Sequence, residues 1–498
     1  MRLLTVMLVI GLFGLAVVPS QADQDFEAFA QQYREQFQQF RDERDRQFHR
    51  FLQKTWEEFR VFQGEVEDPA PKPQNIPLPS QRNELPRQQI PIKAAPTVKP
   101  AVKPQPAETK QPDVTERSSA KTTPKPKPEW TPAQPTVTVD LLGQSLGFAL
   151  SDRWHKLTLS SVSADGIAAF WADFAKLRTQ TLLADMQGYR HAMHLNDWGM
   201  LVMARRLGQS LYSDANLAEL VAWGLLLKAG YDVRAGYHQQ RVYVLFNSRQ
   251  AVFDVPYFKL AGQRYYLASP RPESGLRLHS YAADYPGATA ALDLSLSRMP
   301  VVKAESDKQV IRHLKFEFQG QQYQLQVPLA KELITYLASM PQLALQAYFV
   351  AAPSAEAGQA VVTPLRQAAA SMNSREAVNF LLRFVQTAFA YQTDQEQFGS
   401  ENYLFIDETL FYPAADCEDR SLLFAWLIRQ VLDLDVVALD YPGHVATAVA
   451  LDESGPGLYV EWQGRRHALA DPTYINAGLG RVVPPYADKQ PTILQVTF

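Results

Sequence analysis

A single cysteine, Cys417, stands in a chain of 498 residues. An internal disulfide needs two, so this thiol points to chemistry and not to stapling the fold. Excess charge is lacking too: 49 Lys and Arg against 52 Asp and Glu leave a formal net charge of -3. Such a balance gives no global field toward nucleic acid or an anionic membrane. Beyond the first residues, no apolar run approaches the roughly 20 residues of a membrane-spanning helix. One cysteine with scattered histidines also lacks the clustered ligand spacing of a zinc site, so neither a metal nor a cofactor is expected.

The beginning of the chain carries an export pattern. Arg2 supplies a positive start, Leu3 to Val18 an apolar stretch, and Ser20-Gln21-Ala22 a small-residue cleavage site, so 1–22 reads as a signal peptide and the mature chain as periplasmic without a spanning segment. From 23 to 63 aromatic residues recur at steps of three and four (Phe26, Phe29, Tyr33, Phe37, Phe40, then Phe48, Phe51, Trp56, Phe59, Phe62) among charged and Gln residues. That spacing predicts an amphipathic helix or helical hairpin whose aromatic face needs a cover, either the chain's own globular part or a partner. With its Trp56-Glu57-Glu58-Phe59 ending, this stretch resembles the N-terminal segment of lytic murein transglycosylase C-like proteins. The resemblance implies an envelope setting and a cell-wall or envelope-protein partner. Residues 64–136 then hold about half of the 34 prolines, mixed with Lys, Gln and Thr. They predict a disordered, semi-rigid tether.

From 137 the composition turns globular, and the chain can be compared with itself. Asp214 to Phe246 laid without gaps over Cys417 to Val449 repeats Leu220, Ala222, Trp223, Asp232, Val233, Ala235 and Val242 at one offset. After a one-residue slip, Gly262 to Pro270 falls on Gly464 to Pro472. Upstream, the hairpin signal Leu141-Leu142-Gly143-Gln144 mirrors Phe318-Gln319-Gly320-Gln321, and the helical run from Trp198 mirrors that from Val378. Two α+β domains, 137–300 and 301–498, are expected from a duplication.

Cys417 opens a strongly apolar helical run in Asp416-Cys417-Glu418-Asp419, His444 opens a strand-like stretch, and Asp471 closes the next one before Pro472. A helix N-terminus and a nearby imidazole both favour thiolate, so Cys, His and Asp in this order predict a nucleophile, its base and the residue that orients the base. In the first copy the same positions are Asp214, Arg241 and Ser269, which cannot do thiol chemistry.

Over about 375–480 this succession resembles the core of the transglutaminase-like superfamily, in the manner of bacterial exported transglutaminase-like cysteine peptidases. The resemblance rests on a helix ending in Tyr391, the Asp416-Cys417-Glu418-Asp419 entry, the Leu-rich helix, the His444 strand, and Asp471 before Pro472-Thr473. It implies two tandem papain-like domains, the first degenerate, and an acyl-transfer enzyme acting on a protein or peptide substrate through a thioester on Cys417. His444 would be general base and acid, and Asp471 would fix the imidazole. Such family members often carry an aromatic shortly after the His, where this chain has Val445-Ala446-Thr447. A cross-linking transglutaminase, or a noncatalytic envelope scaffold with a vestigial triad, are the alternatives.

Overall fold

The computed structural model describes residues 135–498 except 254, 261, 269–277, 281–284, 286, 304–308 and 452–454, together with the backbone of Ile92–Ala94. The expected signal peptide, the aromatic helix of 23–63, most of the Pro-rich tether, and Ser269 lie outside the described residues. The described residues form one compact unit of mixed α and β structure.

Ile92–Ala94 is the first described strand, β1, and it comes from within the segment expected to be a tether. A hairpin follows, β2 (Val137–Leu141) and β3 (Gln144–Phe148). Leu142 and Gly143 close it at φ 52° and 71°, the left-handed pair that a tight two-residue hairpin turn requires. Four helices come next: α1 (Ala164–Phe174), α2 (Gln180–Ala192), α3 (Asp197–Leu211) and α4 (Ala215–Lys228). Three of them begin where a polar side chain takes up free backbone N–H groups, at Ser163, Asn196 and Asp214. Helix α4 is almost wholly apolar because strands and helices surround it. The chain then makes β4 (Val233–His238), β5 (Arg241–Phe246), β6 (Val252–Phe253), β7 (Tyr257–Leu260), β8 (Gln263–Leu267) and β9 (His279–Ser280).

The second half runs through the same succession. A longer hairpin, β10 (Gln309–Phe318) and β11 (Gln321–Ala330), turns at Gln319 and Gly320 with φ 52° and 79°. After it come α5 (Lys331–Leu337), β12 (Gln342–Leu343), a 3-10 turn at Leu345–Val350, α6 (Ala355–Ala369) and α7 (Ser374–Thr387). Strand β13 (Ala390–Tyr391), helices α8 (Asp394–Gln397) and α9 (Ile406–Phe411), and strand β14 (Ala414–Ala415) follow. Helix α10 (Cys417–Leu427) leads into β15 (Val436–Tyr441), β16 (His444–Ala450), β17 (Leu458–Trp462), β18 (Arg465–Ala470) and β19 (Thr492–Gln495).

Strand order agrees between the halves. The first sheet is β7-β8-β5-β4-β9, and the second is β17-β18-β16-β15-β19 with β1 added outside β17. Register agrees as well. His238 faces Arg241 as Tyr441 faces His444, Leu245 faces Leu267 as Ala448 faces Leu469, and Tyr257 faces Tyr266 as Tyr459 faces Ala468. A slip of one residue would turn each strand's apolar set to the wrong face, so these matches are specific.

The halves share an apolar core and are laced together. Strand β6 pairs with β12, Trp198 Nε1 donates to Ser339 Oγ at 3.1 Å, and Tyr336 OH donates to Asn196 Oδ1 at 2.7 Å. One difference bears on the site. In the first half α3 is followed almost at once by α4, whereas in the second the chain from β13 to β14 is inserted between α7 and α10. Strands β13 and β14 pair in parallel, Tyr391 beside Ala415, and so bring both ends of the insertion to the start of α10.

Candidate active site

Every residue of α10 is buried, including Cys417, Glu418, Asp419, Arg420 and Ser421. Polar groups in such a place need partners. Arg420 supplies three anchors: Nε donates to Ala415 O (3.1 Å), Nη1 to Gln386 O (3.2 Å) and Nη2 to Phe389 O (2.9 Å), with its guanidinium over the Tyr391 ring at 5.3 Å. Burial lowers its pKa to about 10, so it stays charged at neutral pH. One turn after Cys417, Ser421 Oγ donates to Val445 O at 2.9 Å and ties the helix to β16 beside His444.

His444 and Asp471, far apart in sequence, meet because β16 and β18 pair side by side. His444 Nε2 lies 2.8 Å from Asp471 Oδ2, and the two side chains are 2% and 0% exposed. Asp471 also accepts from backbone N–H groups: Oδ1 from Thr473 (2.9 Å) and Tyr474 (3.3 Å), Oδ2 from Val483 (3.1 Å). Burial alone would raise its pKa, but the His444 charge and these hydrogen bonds outweigh burial and hold the carboxyl below its ordinary value. Gln386 braces the same loop, its Nε2 donating to Asp471 O, Tyr474 O and Ala477 O at 3.2, 2.9 and 3.0 Å. The imidazole stacks on Tyr486, with centroids 4.8 Å apart. Burial raises the Tyr486 hydroxyl pKa, and the charges of Cys417 and Asp471 add to the rise.

Cys417 itself is 0% exposed, and its thiol donates to Glu418 Oε2 at 2.8 Å. With Nε2 engaged by Asp471, Nδ1 is the imidazole nitrogen left to serve a thiol. The structure therefore joins two of the three expected site residues by a hydrogen bond and gives the third a carboxylate partner. In the first half Asp214 caps α4, accepting from Asn216 N (2.8 Å) and Leu217 N (3.1 Å), and Arg241 is exposed at the start of β5 with its guanidinium over Tyr243. Neither is placed for nucleophilic work.

Sequence reasoning missed an acidic cluster on the other side of the thiol. Asp394, Asp416 and Asp419 each bring a carboxylate oxygen within 4.8 Å of the others, all three buried; Asp394, Glu401 and Glu418 are as close to one another, with Glu401 half-buried. Burial, reinforced by their acidic neighbours, pushes Asp416 and Asp419 well above the ordinary carboxylate range, and burial lifts Glu408 to about 8. Among the described residues no donor reaches either oxygen of Asp416. Such a set can be neutralised by protons, or it could hold a hard divalent cation through Asp394, Asp416 and Asp419, whose oxygens suit Ca2+ or Mg2+. The Asp416-Cys417-Glu418-Asp419 run was visible in the sequence; its partners Asp394 and Glu401 come from the insertion, which has no counterpart in the first half. Gln386 and Tyr486 gave no sequence signal, since their roles arise only from the packing of the Asp471 loop.

Comparison with known proteins finds no family model, no curated protein and no solved structure that matches this chain.

Proposed function

We propose that this protein is an exported thiol acyl-transfer enzyme, a transglutaminase-like cysteine peptidase or amidase acting on peptide or amide bonds in the bacterial envelope. The observation that carries the reading is the buried His444–Asp471 pair at 2.8 Å beside the helix that begins with Cys417. A carboxylate that accepts backbone N–H bonds and grips one imidazole nitrogen fixes the tautomer and leaves the other nitrogen to take a thiol proton. Cys417 Sγ would then attack the substrate carbonyl carbon, with the backbone N–H groups at the start of α10 receiving the charge on its oxygen. The C–N bond breaks, the amine leaves with the proton from His444, and a thioester remains. Water, giving its proton to His444, releases the acid and restores the thiol.

In this reading the first half is a duplicated copy that has lost the triad. The closed site must open for substrate, and the thiol must turn from Glu418 toward His444 Nδ1. A second reading, a noncatalytic envelope scaffold, is favoured by the zero exposure of Cys417 and its bond to Glu418. The two separate in a comparison of envelope proteins from cells carrying wild-type or Cys417→Ala protein. The enzyme reading expects new protein termini or released peptides that vanish with the substitution. Identical termini in both strains would leave the scaffold.

A further inference from the structure

The half without a triad holds a cavity with mainly apolar walls. It has a volume of about 540 Å³ and lies between α1, α4, β4 and β9. Trp171 on α1, Trp223 on α4, Tyr237 on β4, His279 on β9 and Tyr285 form its walls, with Ala164 and Ala168 at the open side of α1. The rings are set against one another: Trp171 lies 5.1 Å from Trp223 and 5.2 Å from Tyr285, and Tyr237 stacks on His279 at 5.1 Å. Its size and its apolar walls are those of a site for a small molecule or a large side chain.

The fold does not require this opening. In the second half Trp426, the counterpart of Trp223, lies against Gly358 of α6. There the 3-10 turn Leu345–Val350 packs on both α10 and β19. Gln346 Nε2 donates to Gln495 O at 2.7 Å and Thr497 N to Phe349 O at 3.1 Å, which seals the turn onto the strand. In the first half Ala164, Ala168 and Trp171 of α1 line the cavity from one side and His279 and Ser280 of β9 from another.

Charge and backbone say what would enter. Lys228 stands at the rim, its Nζ 2.8 Å from Tyr285 OH and 5.2 and 5.1 Å from the ring centroids of Trp171 and Tyr285. Among the described residues no carboxylate lines the cavity and none pairs with Lys228. The ammonium is thus open to an anion. Among the described residues β9 pairs only with β4, at the edge of its sheet, so an extended chain can lie along its outer side by main-chain hydrogen bonds.

We infer that the first half is a peptide-binding module, in which an extended segment pairs along β9, lays an aromatic side chain into the cavity against Trp171, Tyr237 and Tyr285, and sets a neighbouring carboxylate on Lys228. This does not rest on the thiol chemistry of the second half. The test uses full-length protein and fluorescein-labelled acetyl-Thr-Phe-Asp-Thr-amide, read by anisotropy, with Phe→Ser and Asp→Asn versions of the peptide as controls. Saturable binding is expected, at least tenfold weaker for the Phe→Ser peptide and several-fold weaker for the Asp→Asn peptide or for Lys228→Gln protein. Ala168→Trp, a substitution at an exposed wall position that leaves the core untouched, should abolish binding by filling the groove, and Cys417→Ala should leave it unchanged. Absence of saturable binding to the wild type, equal binding of the three peptides, or full binding by Ala168→Trp would overturn the inference. So would saturable binding of phosphatidylglycerol vesicles, lost in Ala168→Trp, without binding of the peptide.

Discussion

Glu408 is the residue through which the crowding of acids around the thiol can be measured. It is fully enclosed, accepts a hydrogen bond from Phe405 N at 3.1 Å, and has its pKa lifted from 4.5 to about 8 by burial. The folded state therefore keeps a proton that the unfolded chain gives up near pH 4.5. Its contribution to stability is complete below that pH and is lost as pH rises toward 8, at about 1.4 kcal/mol for each pH unit between the two values. Asp416 and Asp419 act in the same direction. Glu408→Gln, which keeps an acceptor for Phe405 N and cannot ionise, should leave the melting temperature at about pH 5 nearly unchanged and raise it by several degrees at about pH 8. Parallel pH profiles for the two proteins would show that Glu408 is not held protonated. At this scale the sequence was informative for Cys417, His444 and Asp471, because their order along helix and strands is itself the pattern. It was silent on Gln386, Tyr486 and Asp394, which reach the site through loop packing and an insertion.

Hairpins and sheet pairings make up the best-determined level of organisation. Gly at Leu142-Gly143 and Gln319-Gly320 marks two hairpins whose residues take the left-handed turn, and the self-match between 214–246 and 417–449 corresponds to identical strand registers. Strand β1 was not legible, since Pro-rich composition describes a segment's own preference and not the free sheet edge it meets at Val460. Where the chain entering β17 meets the loop after Asp471, two glycines cross closely. Gly480 N donates to Leu469 O, Leu458 N donates to Gly480 O, and a Cβ added to Gly480 would lie 2.8 Å from Pro456 O and 2.9 Å from the Gly457 Cα. Gly480 also has φ 91°, a conformation that costs any other residue about 1 kcal/mol or more. Gly480→Ala should therefore cost on the order of 2 kcal/mol or more in a urea titration and disturb the loop that holds Asp471. An unchanged midpoint would mean that the crossing is looser than the packing indicates.

The whole described unit is two copies of one topology around a shared core, tied by the β6–β12 pair and by the Trp198–Ser339 and Tyr336–Asn196 bonds. The internal match divides the chain at about 300, and it reveals repeated order but not how much apolar surface each copy leaves for the other. Calorimetry should accordingly give one unfolding transition for the two halves together, and two resolved transitions would contradict the shared core. Within that body one copy retains Cys417, His444 and Asp471. If the His444 imidazole activates this thiol, alkylation kinetics will report it. Iodoacetamide should modify Cys417 of the folded protein with a rate that persists below about pH 7, as activated thiols do, and that falls at least tenfold in His444→Ala. Modification that follows an ordinary thiol, half-maximal near about pH 8.5 and indifferent to His444→Ala, or that occurs only on unfolding, would contradict it.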